Sequence, residues 1–319
     1  MKLIHPPPDL AQHGLRALTM IAAEGGPPSP AARALLAAAQ RHLLGTSVDI
    51  DALAPITPDA LAAVMRDPAL RLQLVQGMVV MTLTDGPPSP AKVALVEAFA
   101  RALEIDVDDV RSIRRLADQQ MLLFKLDFMR RSHLVDMVKH QYEDHGLVGT
   151  VKGLLGLRGY VEDPALAARY RALEQLPEGT LGHALARYFR DNGFSVPGEK
   201  GGFPEGGIYH DFSHVLSGYG TDPRGEMQIG AFIAGYRKQN PFFLILFVTL
   251  TFSAGVNVTP LPQPNMTGIF AEEGLADGFF RAIERGSRVT VDLSDHWDHW
   301  AYVERPIDEV RRELGITDP

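Results

Sequence analysis

The hexapeptide GPPSPA occurs twice, at residues 26–31 and sixty residues later at 86–91, so a fold for this chain must use it twice. Serine is a good helix N-cap. Proline suits the first helical position, where its missing N–H would have no partner anyway. Ser29-Pro30 and Ser89-Pro90 therefore read as helix starts. The flanks repeat as well: Ala34 matches Ala94, Leu35 Leu95, Ala38 Ala98, Arg41 Arg101 and Leu43 Leu103. An apolar stretch precedes each turn (LTMIAA at 18–23, MVVMTLT at 78–84) and an Ala/Leu-rich stretch follows it. Each copy is thus a helical hairpin. Thr57-Pro58 and Asp67-Pro68 mark further starts. Between 107 and 145 Leu116, Leu122, Leu123, Leu126 and Met129 recur at helical spacing. The expectation is an all-α bundle over residues 1–145.

Composition narrows what such a chain does. Of its 319 residues 45% are hydrophobic, which excludes wholesale disorder, and the length allows roughly two domains. With no cysteine there is no disulfide, no thiolate metal site and no cysteine nucleophile. A net charge of −8 argues against a nucleic-acid partner. MKLIHPPPDL has no apolar core of a signal peptide, so a cytoplasmic location is expected. The most apolar run, FFLILFVTLTF at 242–252, is about half the ~20 residues of a bilayer span. It reads first as a core helix and second as a lipid-facing surface.

Residues 10–130 resemble the tellurite-resistance TerB family of helical bundles, whose two halves each open with an acidic-Gly turn. Here those turns are Glu24-Gly25-Gly26 and Thr84-Asp85-Gly86. The resemblance implies a metal site at the turns. Two isolated acids do not make the several-oxygen shell of a hard cation, so a scaffold or docking role is expected instead.

After His145 glycine becomes frequent, placing a linker at 140–160 and a second helical domain at 160–319. Asp163-Pro164 starts a short helix ending near Leu176-Pro177. Residues 179–194 form an amphipathic helix opened by Thr180 and stopped at Asn192-Gly193. A Gly-rich loop then leads to YHDFSHVLSGYGTDPRGEMQIGAF. His210 and His214 stand four apart, one turn along a helix face. Asp211 adjoins the first, and Asp222-Pro223 puts Glu226 in the first turn of the next helix. Two antiparallel helices can aim this set at a single divalent cation that accepts nitrogen and oxygen donors, such as Zn²⁺. Such a pair also occurs as surface or satisfied core histidines. The zincin pattern H-E-x-x-H fits less well, since Asp211 is a methylene shorter than its general-base glutamate. The HD phosphohydrolase set lacks convincing further ligands, His183 lying on a different helix.

H-D-x-x-H-x11-E resembles the metal-binding signature of the coenzyme Q (ubiquinone) biosynthesis family called Coq-four. PEGTLGHALARYF at 177–189, HVLSGYGTDPRGEMQIGAF and VDLSDHWDHWAYVERPIDEVRRELGI at 291–316 extend the similarity over about residues 160–318. GGFPEGGIY departs from the family's lead-in helix. The resemblance implies that His210, Asp211, His214 and Glu226 hold a divalent metal, usually zinc. It further implies a prenylated aromatic substrate, oxidative decarboxylation coupled to ring hydroxylation, and other biosynthetic proteins as partners. Glu226 or Asp211 then serves as ligand or proton carrier. A homo-oligomer with peripheral contact at the inner membrane completes the expectation. Its rival is a non-catalytic scaffold or lipid-binding protein with a structural metal. DHWDHW reads first as a helix packing Trp297 and Trp300, with its His and Asp residues exposed. The closing helix reads as a solvated amphipathic face, and Arg187 and Arg190 as surface residues.

Overall fold

A computed structural model describes residues 1–131, 162–258 and 266–317. The linker expected at 140–160 lies outside them. Among the described residues every regular element is helical, with only two isolated bridges, Thr180 to Pro306 and Ala254 to Thr267. In chain order the helices are α1 (Pro8–Ala23), α2 (Pro30–Ala39), α3 (Pro58–Val64), α4 (Pro68–Met81), α5 (Pro90–Ala102), α6 (Asp108–Ala117) and α7 (Met121–Arg131). They continue with α8 (Pro164–Ala172), α9 (Leu181–Asn192), α10 (Tyr209–Ser217), α11 (Pro223–Tyr236), α12 (Phe242–Phe252), α13 (Leu275–Ser287) and α14 (Ile307–Leu314).

Two compact units form, and they do not follow the linear division into 1–145 and 160–319. Met1–Phe128 and Pro241–Glu284 make the first; Met129–Asn240 and Arg285–Pro319 make the second. The reason is packing. α12 buries almost all of its surface in the first unit, Phe243 lying 4.5 Å from Phe128 between ring centroids. It is a core helix, with Leu244 and Phe247 half-buried. No helix among the described residues is long and apolar enough to cross a membrane.

Within the first unit the repeat is a repeat of helical hairpins, α1–α2 and α4–α5. Ser29 Oγ accepts from Ala32 N–H and Ser89 Oγ from Lys92 N–H, each at 3.1 Å. Equivalent positions point inward: Leu15 with Val75, Ile21 with Met81, Leu36 with Val96, Ala39 with Phe99. The two turns also meet, because the Ser29 hydroxyl donates to the Asp85 carboxylate, which takes the Thr84 hydroxyl at 3.0 Å as well. After α2 a π-turn at Gln40–Leu44 brings consecutive residues to one acid: Arg41 and His42 both reach Asp277, His42 Nε2 at 2.8 Å. One expectation fails in α7. Among its described side chains, which leave out the expected Met129, Phe124 and Phe128 are buried one turn apart, whereas Leu122, Leu123 and Leu126 are exposed, Leu122 by 73%. The two rings pack on each other and Phe128 on Phe243, and these aromatic contacts set the face.

In the second unit the expected caps form. Asp163 accepts from Leu166 N–H at 3.0 Å and Thr180 from His183 N–H at 3.4 Å, while Gly193 ends α9 with φ 66°. DHWDHW is not a helix; only His299–Ala301 makes a 3-10 turn. His296 is exposed, but His299 is buried, contrary to the expected pattern, with Nε2 3.0 Å from the Tyr170 hydroxyl. Glu205 accepts from Tyr170 Oη at 3.1 Å and from Trp300 Nε1 at 3.0 Å, so the cluster clamps a loop. Arg169 covers the Trp300 ring at 3.5 Å.

Candidate metal centre

α10 starts after a 3-10 turn at Glu205–Gly207, against which the Phe203 ring is pressed; a Cβ on Gly207 would lie 2.0 Å from it. One helical turn separates His210 from His214. The helix ends at Gly218, whose φ of 79° is open to glycine, and its N–H donates to the His214 carbonyl at 2.8 Å. That reversal swings the Tyr219 carbonyl to within 3.0 Å of His214 Nδ1. A carbonyl only accepts, so Nδ1 carries the hydrogen and the Nε2 lone pair of the neutral ring faces the site. The next turn is as tight. A Cβ on Gly225 would sit 2.0 Å from the Gly220 oxygen. Asp222 caps α11 by accepting from Gly225 N–H at 2.7 Å, and Glu226 follows in the first turn.

Donor atoms of three side chains consequently converge, one from each lying within 4.8 Å of the others. His210 Nε2 lies 3.1 Å from His214 Nε2, His210 Nε2 lies 3.6 Å from Glu226 Oε2, and His214 Nε2 lies 3.4 Å from Glu226 Oε1. Tetrahedral ligands on bonds of 2.0–2.1 Å stand about 3.3–3.4 Å apart, and the two imidazoles approach each other and one or other carboxylate oxygen at separations of that order, as a first-row divalent cation such as Zn²⁺ requires. Among the described residues this is the group of three or more candidate ligands that gathers in this way. No such group forms at Glu24 or Asp85.

Asp211 does not join the triangle. It stays beside the group, and the Tyr188 ring stacks on His214 at 5.7 Å between centroids. Of the expected four-ligand set three side chains gather, with Asp211 beside them. Burial raises the Asp211 carboxyl to about 7, against the lowering pull of His214 and of the Tyr188 bond. Burial also pushes His210 down to about 4, although 37% of its side-chain surface stays open. Desolvation opposes charge on His214, yet its hydrogen bond to Glu226 and that carboxylate's charge leave it above the ordinary imidazole value. Desolvation likewise favours a protonated Glu226, but the two imidazoles overcome it and hold the carboxylate ionised, below its usual range. Neutral His210 and ionised Glu226 are the forms that bind metal.

Sequence reading does not reach several of the site's supports. Arg311 Nε donates to the Leu216 carbonyl at 2.9 Å and Nη2 to that of Val215 at 3.1 Å, so α14 is more than a solvated face. Arg285 Nη2 donates to the Ser217 carbonyl at 3.0 Å. These guanidinium groups meet the unpaired carbonyls and negative dipole end of α10. Neither arginine stands within the motif, and no spacing rule links them to it. No family model matches this chain, and no curated protein matches it.

Proposed function

We propose that this chain binds a divalent cation at His210, His214 and Glu226, zinc being the first candidate, and acts on a lipophilic aromatic ring of the ubiquinone-precursor type. The observation that carries the reading is the ligand count. Catalytic zinc sites use three protein ligands and keep a position for water or substrate, whereas structural sites close with four. With Asp211 outside the group the count is three, and the open edge of His210 is the approach. A cation held there supplies a Lewis acid for a phenolate or carboxylate oxygen. Asp211 stands beside the ligands as a proton carrier, its carboxyl pushed up to about 7 by burial. Phe194 and Phe203, exposed by 45% and 38%, adjoin the elements of the site, Phe194 edge-on to Tyr188 at 5.7 Å. They give an apolar ring a surface to rest on. Oxidative decarboxylation with ring hydroxylation, contact with a membrane surface, self-association and partner biosynthetic proteins belong to the same proposal.

A scaffold reading, in which the cation ties α10 to α11, is favoured by the 1% exposure of the His214 side chain. His214→Ala separates the two. Loss of turnover of a prenylated hydroxybenzoate in micelles, with the fold and its melting temperature retained, supports catalysis. Unfolding on removal of the ligand supports the scaffold. Mass spectrometry of lipid extracted from the purified protein is expected to find a prenylated ring.

A further inference from the structure

Arg285 has an unusual set of partners. Its Nη2 donates to the Ser217 and Thr317 carbonyls, while Nε and Nη1 are buried without a hydrogen-bond partner. Leaving guanidinium donors buried and unpaired is destabilising by about 1–3 kcal/mol, more for charged groups, so their position calls for a compensating interaction. It comes from aromatic rings. The guanidinium carbon lies 4.8 Å from the centre of Tyr219 and 5.7 Å from that of Phe232, within cation–π range. Gly286 fixes this arrangement, since a Cβ there would lie 1.9 Å from the Phe232 carbonyl oxygen and admits no larger residue.

Two of these contacts, to Ser217 and to Tyr219, bracket one short segment. Ser217 ends α10, Gly218 reverses the chain, and Tyr219 presents the carbonyl that fixes the hydrogen on His214 Nδ1. Resting on the proposed metal site, we infer that Arg285 is a positioning residue for that site: by holding Ser217 and the Tyr219 ring it keeps the Tyr219 carbonyl on His214, and so keeps the Nε2 lone pair turned to the cation. Arg311 acts on the same helix end but on Val215 and Leu216, and it makes no contact with Tyr219 among those described. The two arginines therefore divide the work. Arg311 supports the helix; Arg285 sets the tautomer and aim of one ligand.

The test uses the full chain and two readouts, zinc affinity by chelator competition and the imidazole nitrogen spectrum of the metal-free protein at pH 8. Wild type is expected to show His214 as the single Nδ1–H tautomer. Arg285→Ala is expected to lose about tenfold or more in zinc affinity, as loss of a group that orients a metal ligand does, and to show mixed tautomers at His214. Arg285→Lys, which keeps a cation over Tyr219 and one donor for Ser217, is expected to stay within about threefold of wild type. Arg311→Ala lowers the melting temperature and leaves the His214 spectrum alone. Should Arg285→Ala not fold, Tyr219→Leu keeps the carbonyl and removes the ring seat, and is expected to mix the tautomers. A folded Arg285→Ala, or Tyr219→Leu in its place, with wild-type His214 signals and affinity within about threefold overturns the proposal. The nitrogen spectrum reads the role of Arg285 even if wild type takes up no zinc, so failure of the metal reading and failure of this one are distinct results.

Discussion

Gly225 lies so close to Gly220 that any Cβ on it would stand 2.0 Å from the Gly220 carbonyl oxygen. Backbone, not a flexible side chain, occupies that space, so relief requires α11 to move. Glu226 is the next residue, and its carboxylate closes the triangle with the two imidazoles.

Gly225→Ala is therefore expected to retain its helical circular dichroism but to lose at least about tenfold in zinc affinity, because the displaced carboxylate no longer meets the imidazoles. Overpacking of this kind is expected to lower stability by about 1–3 kcal/mol in urea denaturation. Unchanged affinity would mean that Glu226 is not held by the Gly220–Gly225 contact.

Asp211 sets a pH dependence for the metal-free protein. Its folded pKa of about 7 lies above the ordinary value of 3.8, so between these the folded state keeps a proton that the unfolded chain has released. The stabilisation is complete below pH 3.8 and is lost as pH rises through about 7. Asn keeps an acceptor for Tyr188 and has no proton to lose. Asp211→Asn is expected to exceed wild type at pH 8 by on the order of 2 kcal/mol, and by much less at pH 4. Parallel stability curves for the two proteins would contradict a neutral buried carboxyl.

Much of this architecture is legible in the sequence because it is local. Ser29, Thr57, Asp67, Ser89, Asp163, Thr180 and Asp222 each stand before the helix they cap, and each accepts from a backbone N–H of its first turn. His210, His214 and Glu226 are legible for the same reason, being placed by one helix, one turn and one cap. What escapes is set by distant partners. Asp211 stays outside the ligand group, Phe243 and Phe128 decide the face of α7, and α12 joins the first unit by packing that no periodicity records. His299 is buried because Tyr170, 129 positions earlier, gives its nitrogen a partner.

Asp85 tests the reading of the two repeat turns. Its carboxylate is used by Ser29 and Thr84, with the Lys92 ammonium 3.9 Å away. Asp85→Ala is expected to destabilise the first unit by about 1 kcal/mol through loss of these bonds and to leave metal stoichiometry unchanged. A lower metal content in this variant would place a cation at the turn after all.

The apolar helix α12 gives a different expectation. Phe243 is 3% exposed and packs on Phe128, so Phe243→Asp puts a carboxylate into the core of the first unit. The variant is expected to lose about 3–5 kcal/mol, enough to unfold that unit, as followed by thermal melting. A stable, fully folded variant would show that this face is open to solvent or lipid.

Everything functional rests on three side chains sharing one cation. Elemental analysis of the purified protein, joined to zinc titration by calorimetry, measures this directly. One equivalent of tightly held zinc per chain is expected for wild type, falling to none in His214→Ala and in the pair His210→Ala with Glu226→Gln. A wild-type protein that takes up no zinc, iron or other divalent ion, or variants that bind it as well as wild type, would contradict the account.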